Sequence, residues 1–125
     1  MRLIVLLLSV LLINACYAKT TSSQKHDELN LKNFGFTYCL TKSDDKFLGS
    51  EASQAMGGYF EKGVYDVEAY NQLKSYINKY LTENKSIYKE SGMSSNLMKC
   101  LDLYNSSGYE KLIQKQKVFL IEDKK

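Results

Sequence analysis

Residues 96–106 read Asn-Leu-Met-Lys-Cys-Leu-Asp-Leu-Tyr-Asn-Ser, and this stretch decides the fold of the chain. Its apolar side chains lie on nearly every side of a helix, which is typical of a central helix with neighbours all round. They are Leu97, Met98, Cys100, Leu101, Leu103 and Tyr104. The stretch therefore predicts a helix over residues 96–105. Its Cys100 can reach Cys39 only if this helix packs against the helix that carries Cys39.

The segment around Cys39 has the periodicity of an amphipathic helix. Its apolar positions recur at spacings of three and four residues: Leu31, Phe34, Tyr38 and Cys39. This spacing predicts a first helix from about residue 30 to residue 42 with Cys39 on the inward face. Residues 19–27 are polar and lack any periodicity, so we expect them to form a mobile arm.

The beginning of the chain has the pattern of a secretory signal peptide. A positive start precedes an apolar run over residues 3–13, and small residues follow. Cleavage after Ala18 would give domain 19–125 and a periplasmic protein, because the run is too short to span a bilayer. A second interpretation stays open: residues 13–16 approximate a lipoprotein box, in which Cys16 would carry a lipid anchor.

Export bears on the two remaining cysteines. An even pair in a small exported domain most often forms a disulfide, so we expect Cys39 to bridge Cys100. A bridge closing about 60 residues stabilises a domain by roughly 4 kcal/mol in the chain-entropy account. Metal binding is disfavoured because His26 is the only imidazole and has no partner at ligand spacing.

The sequence does not favour an enzyme. A bridged sulfur cannot be a nucleophile, no Gly-x-Ser-x-Gly elbow occurs, and His26 lies in the polar stretch with no partner. The paired acids Asp44-Asp45 and Glu122-Asp123 lie in polar turn or tail contexts, which are typical of solvated carboxylates. We expect neither a catalytic residue nor a cofactor.

Three further helices follow from spacing and capping residues. Leu48 to Phe60 predicts a second helix with Gly63 as its C-cap. Within it, Gly57-Gly58 is unfavourable for helix formation and should have a compensating reason. That reason is close approach of either a neighbouring helix of the same chain or a second protein chain. Asp66 is a good N-cap for a third helix over residues 67–81.

Near the end of the chain, Ser107-x-x-Glu110 matches a capping box for a last helix. The apolar run of residues 118–121 then predicts a packed edge or a local strand. Together the elements predict a small all-α bundle of four to five helices, stapled by one disulfide.

Net charge excludes one class of partner. The chain has 17 Lys and Arg against 14 Asp and Glu, and Arg2 is its only arginine. Removal of a signal peptide would leave 16 Lys and a charge of about +2, which is not typical of a nucleic-acid-binding protein.

One segment is not explained by the core pattern. Residues 82–95 are polar and carry only three apolar side chains, Ile87, Tyr88 and Met93. Loops of this length in a compact domain are usually functional or disordered.

The string Met-Lys-Cys-Leu-Asp-Leu-Tyr-x-Ser at residues 98–106 resembles the Tai4 family of type VI secretion amidase immunity proteins. The block Ala55-x-x-Gly58-Tyr59-x-Glu61-x-Gly63, together with Tyr70, is similar to the same family, as are residues 31–34 and 39–40. The resemblance spans most of the chain after residue 18. Asp102, within the string, is expected to be a buried or half-buried structural acid at a helix end.

The resemblance implies a periplasmic, helical, disulfide-containing protein that neutralises a cognate Tae4-type amidase, an NlpC/P60-like cysteine peptidase that cuts peptidoglycan stem peptides. It also implies a homodimer whose protruding loop occupies the substrate groove. Residues 82–95 are our candidate for that loop.

Within this loop, one aromatic residue is flanked by polar partners, a composition suited to an adaptable contact. The candidate partner-binding residues are Lys85, Tyr88, Lys89, Glu90 and Ser91. Tyr88 could equally fold back onto the bundle. A periplasmic or lipid-anchored structural adaptor without an enzyme partner is the alternative function.

Overall fold

The first described helix, α1, begins several residues before the apolar positions that predict it. The computed structural model describes residues 22–121, and α1 covers residues 22–40. The expectation of a mobile arm is therefore wrong for residues 22–27, while residues 19–21 and the proposed signal peptide lie outside the described part. The early turns are held by Glu28, whose carboxylate lies 3.1 Å from Lys117 Nζ. A long-range ion pair of this kind is not visible in local periodicity.

Four more helices complete the bundle within the described residues. They are α2, Lys46–Glu61; α3, Val67–Glu83; α4, Asn96–Tyr104; and α5, Ser107–Lys115. A turn of 3-10 helix follows over Gln116–Phe119. The prediction of an all-α bundle is confirmed. Across residues 22–121, no helix combines the length and the apolar character needed to cross a membrane.

Aspartates are the N-cap residues of α2 and α3. The sequence predicts the one at α3. Asp45 Oδ1 accepts a hydrogen bond from the Leu48 amide at 2.8 Å, and Asp66 Oδ1 accepts one from the Glu68 amide at 3.0 Å. Each carboxylate satisfies a donor that the first helical turn leaves unpaired. Helix α3 then buries a continuous face: Ala69, Tyr70, Leu73 and Ile77.

The disulfide between Cys39 and Cys100 is present, as predicted. Both cysteines are fully buried, and the Cα atoms are 5.7 Å apart, which places α4 directly against α1. Helix α4 is nevertheless not surrounded on all sides. Leu97, Met98 and Leu101 are 43–53% exposed, so the expectation of a central helix is wrong. The bridge turns one face of α4 inward and leaves the opposite face in solvent.

Helix α5 begins one residue earlier than its capping box predicts. The N-cap is Ser106, whose Oγ accepts a hydrogen bond from the Tyr109 amide at 3.2 Å. Glu110 does not reach back to the cap, because its carboxylate pairs with Lys32 on α1 at 2.9 Å. The interpretation of Ser107 as the N-cap is therefore wrong.

The C-terminal apolar run packs as an edge. Tyr65 and Leu120 form a single antiparallel bridge, in which the Asp66 amide donates to Phe119 O at 2.8 Å and the Ile121 amide to Val64 O at 2.9 Å. Among residues 22–121 this is an isolated bridge and not a named strand. Val118 points outward and is 81% exposed.

A buried tyrosine in the core packs directly against a glycine of α1. Tyr109 is fully buried, and its hydroxyl donates to Lys32 O at 2.9 Å. Burial raises the pKa of Tyr109 far above its ordinary value, because the interior cannot solvate a phenolate. A Cβ at Gly35 would overlap the Tyr109 hydroxyl. This contact explains a glycine inside α1, where it costs about 1 kcal/mol relative to alanine.

The other helical glycines behave differently. Outside α2 itself, no atom of residues 22–121 lies within 4 Å of a Cβ built at Gly57 or Gly58, so the interpretation that a helix of the same chain approaches them closely is wrong for this part of the chain. Gly63 does not cap α2 in a left-handed conformation; the C-cap is Lys62. Gly63 is instead required by Tyr70, whose hydroxyl occupies the space of a Cβ.

Two alanine substitutions separate these roles. We expect Gly35→Ala to lower the free energy of unfolding by about 1–3 kcal/mol, because the buried Tyr109 ring must shift. Gly49→Ala in α2 serves as the matched control and should raise it by up to about 1 kcal/mol, since a Cβ there makes only ordinary van der Waals contacts and helix propensity improves. Urea unfolding measures both. Equal effects of the two changes would contradict the packing account.

Removal of the disulfide tests the bundle as a whole. The variant Cys39→Ala/Cys100→Ala should lose about 4 kcal/mol of unfolding free energy, because the bridge closes a loop with a sequence separation of 61. The untouched protein should have a mass two units below its reduced form. A variant as stable as the parent would show that packing alone fixes α4 on α1.

Candidate partner-binding site

The segment between α3 and α4 is an ordered hairpin, which we define as residues 84–95. Ile87 and Ser94 form an antiparallel bridge. The Tyr88 amide donates to Met93 O, and the Gly92 amide donates to Tyr88 O, both at 2.8 Å. The predicted loop began two residues too early, because Thr82 and Glu83 are the last residues of α3.

The hairpin depends on one left-handed residue at its tip. Gly92 has a φ of 68°, and it is the only residue with positive φ in the part of the chain that the structure describes. An L side chain rarely adopts this conformation, so glycine permits the tight reversal. Residues 89–91 form the turn before it.

The structure brings the predicted site residues together on this hairpin. Lys85, Tyr88, Lys89, Glu90 and Ser91 are all exposed, with Lys85 near the first end and the last three at the tip. Among the five, the backbone of Tyr88 both donates and accepts hydrogen bonds of the hairpin, and all five residues face solvent. This is a suitable arrangement for contact with another protein.

Tyr88 both packs against the bundle and remains accessible to solvent, the two environments that the sequence left open for it. The residue is 37% exposed, and it also lines a cleft of about 160 Å³ between the hairpin and the turn that joins α1 to α2. The cleft is lined by Ser43, Asp44, Asp45, Leu48, Tyr88, Met93, Ser94, Asn96 and Leu97. Tyr88 is therefore held against the bundle and still accessible to a partner.

Several apolar residues around the candidate site are exposed but were not among the predicted partner-binding residues. Ile87 is 60% and Met93 57% exposed on the hairpin itself. On α4, an apolar strip formed by Leu97, Met98 and Leu101 continues from the hairpin, since Leu97 and Met93 line the same cleft. The signal that could have found them is an α4 sequence with more apolar residues than one buried face can hold.

A second groove lies beside the strip. It has a volume of about 340 Å³ and is lined by Asn33, Phe36, Thr37, Ala55, Tyr59, Leu101 and Tyr104. Leu101 belongs to both features. The surface therefore runs from the hairpin along α4 to the junction of α1 and α2.

The titratable residues considered for catalysis are dispersed. His26 is exposed on α1, Asp44 is exposed in the turn, and Asp45 caps α2. Glu122-Asp123 lies outside the described residues. Within residues 22–121, no three His, Cys, Asp or Glu side chains are grouped so that they could hold a metal ion.

Asp102 is not the structural acid that its position in the string suggested. It is exposed, so the expectation of a buried or half-buried residue is wrong. Burial raises the pKa of Tyr80, and the Asp102 carboxylate adds to this by disfavouring a nearby phenolate. Asp102 is therefore part of the surface near α3.

An exposed, hydrogen-bonded hairpin on a disulfide-linked helical scaffold is the architecture of a protein-binding domain. The family model of Tai4, described as "Type VI secretion system (T6SS), amidase immunity protein", matches residues 29–113. The match covers more than half of the chain. The chain belongs to the Tai4 family of amidase immunity proteins.

A solved structure agrees with this assignment. The chain is similar to a chain in the structure of the effector–immunity system Tae4/Tai4 from Salmonella typhimurium, with 26% sequence identity and a TM-score of 0.63. The similarity covers 73% of this chain and 89% of that one. A comparison with curated proteins finds no match.

Proposed function

We propose that this protein neutralises a Tae4-type peptidoglycan amidase by placing its hairpin, residues 84–95, in the substrate groove of the enzyme. The observation that carries the proposal is the exposure of every residue from 82 to 93 on a backbone ordered by hydrogen bonds. Membership in the Tai4 family favours this function over a structural adaptor. The similar Tae4/Tai4 system supplies the class of partner.

Inhibition of this kind requires shape and contact. The hairpin must bury a few anchors and exclude the peptide substrate, and aromatic side chains are the preferred anchors at interfaces. Tyr88 is the aromatic candidate, with Ile87 and Met93 as exposed apolar neighbours. Because the hairpin is ordered before binding, it loses less conformational entropy than a flexible loop would.

The polar residues give the hairpin its adaptable contacts. Lys85, Lys89, Glu90 and Ser91 surround Tyr88 with donors, acceptors and both signs of charge. Charged groups at the rim of an interface steer encounter and select among partners. These four residues would therefore decide which amidase is bound, while Tyr88 would supply much of the affinity.

We place this activity in the periplasm. Residues 1–18 have the signal-peptide pattern, and the buried disulfide suits an oxidising compartment. An amidase that cuts peptidoglycan would meet its inhibitor there. Cleavage after Ala18 would release the domain, whereas lipidation of Cys16 would hold it at a membrane surface.

We further propose that the protein acts as a homodimer. Gly57 and Gly58 leave open space on α2, and glycine in a helix interior is unfavourable unless something requires it. Close approach of a helix from a second copy would use this space. Phe47, which is 81% exposed at the beginning of the same helix, adds apolar surface to such an interface.

The anchoring role of the hairpin can be tested directly. The variant Tyr88→Ala/Lys89→Ala should bind the amidase encoded by the neighbouring gene more weakly by about 1–4 kcal/mol, because hot-spot contacts are lost. Its melting temperature should not change, because both side chains lie outside the core. Calorimetry and inhibition of peptidoglycan cleavage measure the two effects.

The matched control for this variant is Lys111→Ala/Val118→Ala. It removes one exposed lysine and one exposed apolar residue away from the hairpin. We expect it to inhibit as the parent does. If wild-type protein forms no complex with the amidase, or if both double variants lose the same affinity, the proposed function is refuted.

The dimer makes a separate prediction. Gly57→Leu should convert dimers to monomers in sedimentation velocity, because the added side chain fills space that a second copy needs. The fold of each copy should persist, since outside α2 no atom of residues 22–121 lies within 4 Å of a Cβ at this position. Gln114→Leu, a change at an exposed position of α5, is the control. A wild-type monomer at all concentrations would refute the dimer.

A further inference from the structure

Lys99 is a charged residue in a buried position of the fold. It lies on α4 and is only 7% exposed, and it is the one charged residue among the buried side chains of the described chain. Removal of an ammonium group from water is costly unless its donors are satisfied. A buried lysine in a domain of this size therefore calls for a specific role.

The ammonium group begins a directed series of hydrogen bonds. Lys99 Nζ donates to Ser94 Oγ at 2.8 Å, and Ser94 Oγ donates to Asn96 Oδ1 at 2.8 Å. Asn96 Nδ2 in turn donates to Lys42 O at 3.3 Å, at the end of α1. Lysine can only donate, so it forces the Ser94 hydroxyl to accept and to turn its own proton toward Asn96.

This series joins three parts of the structure at one point. Lys99 belongs to α4, Ser94 to the second arm of the hairpin, and Lys42 to the residues that follow α1. A second link lies beside it, where Ser86 Oγ and Ser95 Oγ are 2.7 Å apart and close the base of the hairpin. Cys100, the next residue after Lys99, fixes this part of α4 to α1.

We infer that Lys99 is a positioning residue that holds the hairpin in the orientation in which it meets its partner. The inference deepens the proposed function and rests on it for the identity of that partner. Lys99 does not need to touch the amidase. It orients Ser94, which carries the bridge to Ile87 and lies next to Met93. Without the ammonium, the hydroxyl of Ser94 and the amide of Asn96 lose their fixed directions.

Amide hydrogen exchange in the free protein tests the positioning role. Lys99→Met keeps a long unbranched side chain and removes the donor. The Tyr88, Gly92 and Ser95 amides, which all donate hydrogen bonds within the hairpin, should exchange at least about tenfold faster. The Ile77 amide in the core of α3 should keep its rate. Lys111→Met, which removes an exposed lysine on α5, should change none of these rates.

A double-mutant cycle separates this series from a general loss of packing. Ser94→Ala removes the acceptor and should accelerate the same amides, and Lys99→Met/Ser94→Ala should do little more than either change alone. Additive effects of the two changes would overturn the inference, and so would acceleration that includes Ile77. If Lys99→Met does not fold, unchanged hairpin exchange in Ser94→Ala overturns it by itself.

Amidase binding then connects position to function. Only molecules whose hairpin hydrogen bonds are formed can bind the amidase. If Lys99→Met lowers the fraction of such molecules, the apparent affinity should fall by the same factor as that fraction, mostly through slower association. Failure of the wild-type protein to bind the amidase would refute the proposed function, yet the exchange result would still decide the role of Lys99. Association that slows by more than the fall in the hydrogen-bonded fraction would overturn the positioning role, because Lys99 would then act on binding by another route.

Discussion

The cross-link between Cys39 and Cys100 is the constraint on which the rest of the structure depends. It joins the longest helix, α1, to the nine-residue helix α4, which is too short to be stable on its own. Fixing α4 also fixes the residues before it. The hairpin therefore has one end on α3, which packs into the core through Ala69, Tyr70, Leu73 and Ile77, and the other on a helix covalently attached to α1. A loop held in this way at both ends can be exposed and still ordered.

The same constraint explains the unusual surface of α4. With Cys100 and Leu103 buried, Leu97, Met98 and Leu101 face solvent. Exposed apolar side chains that follow one another along a helix are typical of a surface that binds another protein. Their continuity with Met93 brings the hairpin and α4 into one surface. Membership in the Tai4 family makes an amidase the class of partner for the protein, and we propose this surface as the place where it binds.

Most of the fold could be predicted because it depends on local spacing. These local features are the spacing of Leu31, Phe34 and Cys39, the Asp66 cap, and the pairing of two cysteines in a chain whose sequence predicts export. Long-range contacts could not be read in the same way. The Glu28–Lys117 pair joins the early turns of α1 to the C-terminal turn, and the Lys32–Glu110 pair joins α1 to α5.

The position of the candidate site stays a prediction, and its form could not be predicted. Residues 82–95 stood out because they lacked periodicity, and Tyr88 and its polar neighbours are the candidates within them. Sequence reasoning could not predict the hairpin, because the two-residue turn signals of hairpins are absent and Gly92 is the only local indication. It also assigned every apolar residue of α4 to the core, since composition alone does not say which faces have neighbours. Lys99 was not recognised, because only three-dimensional contacts make a lysine buried.

The most direct test of the account is the crystal structure of the protein bound to its amidase. The account predicts that residues 84–95 lie in the substrate groove, with Tyr88 buried by the enzyme and the backbone of the hairpin unchanged from the free protein. An amidase bound to another face, with its groove open and the hairpin still in solvent, would contradict it.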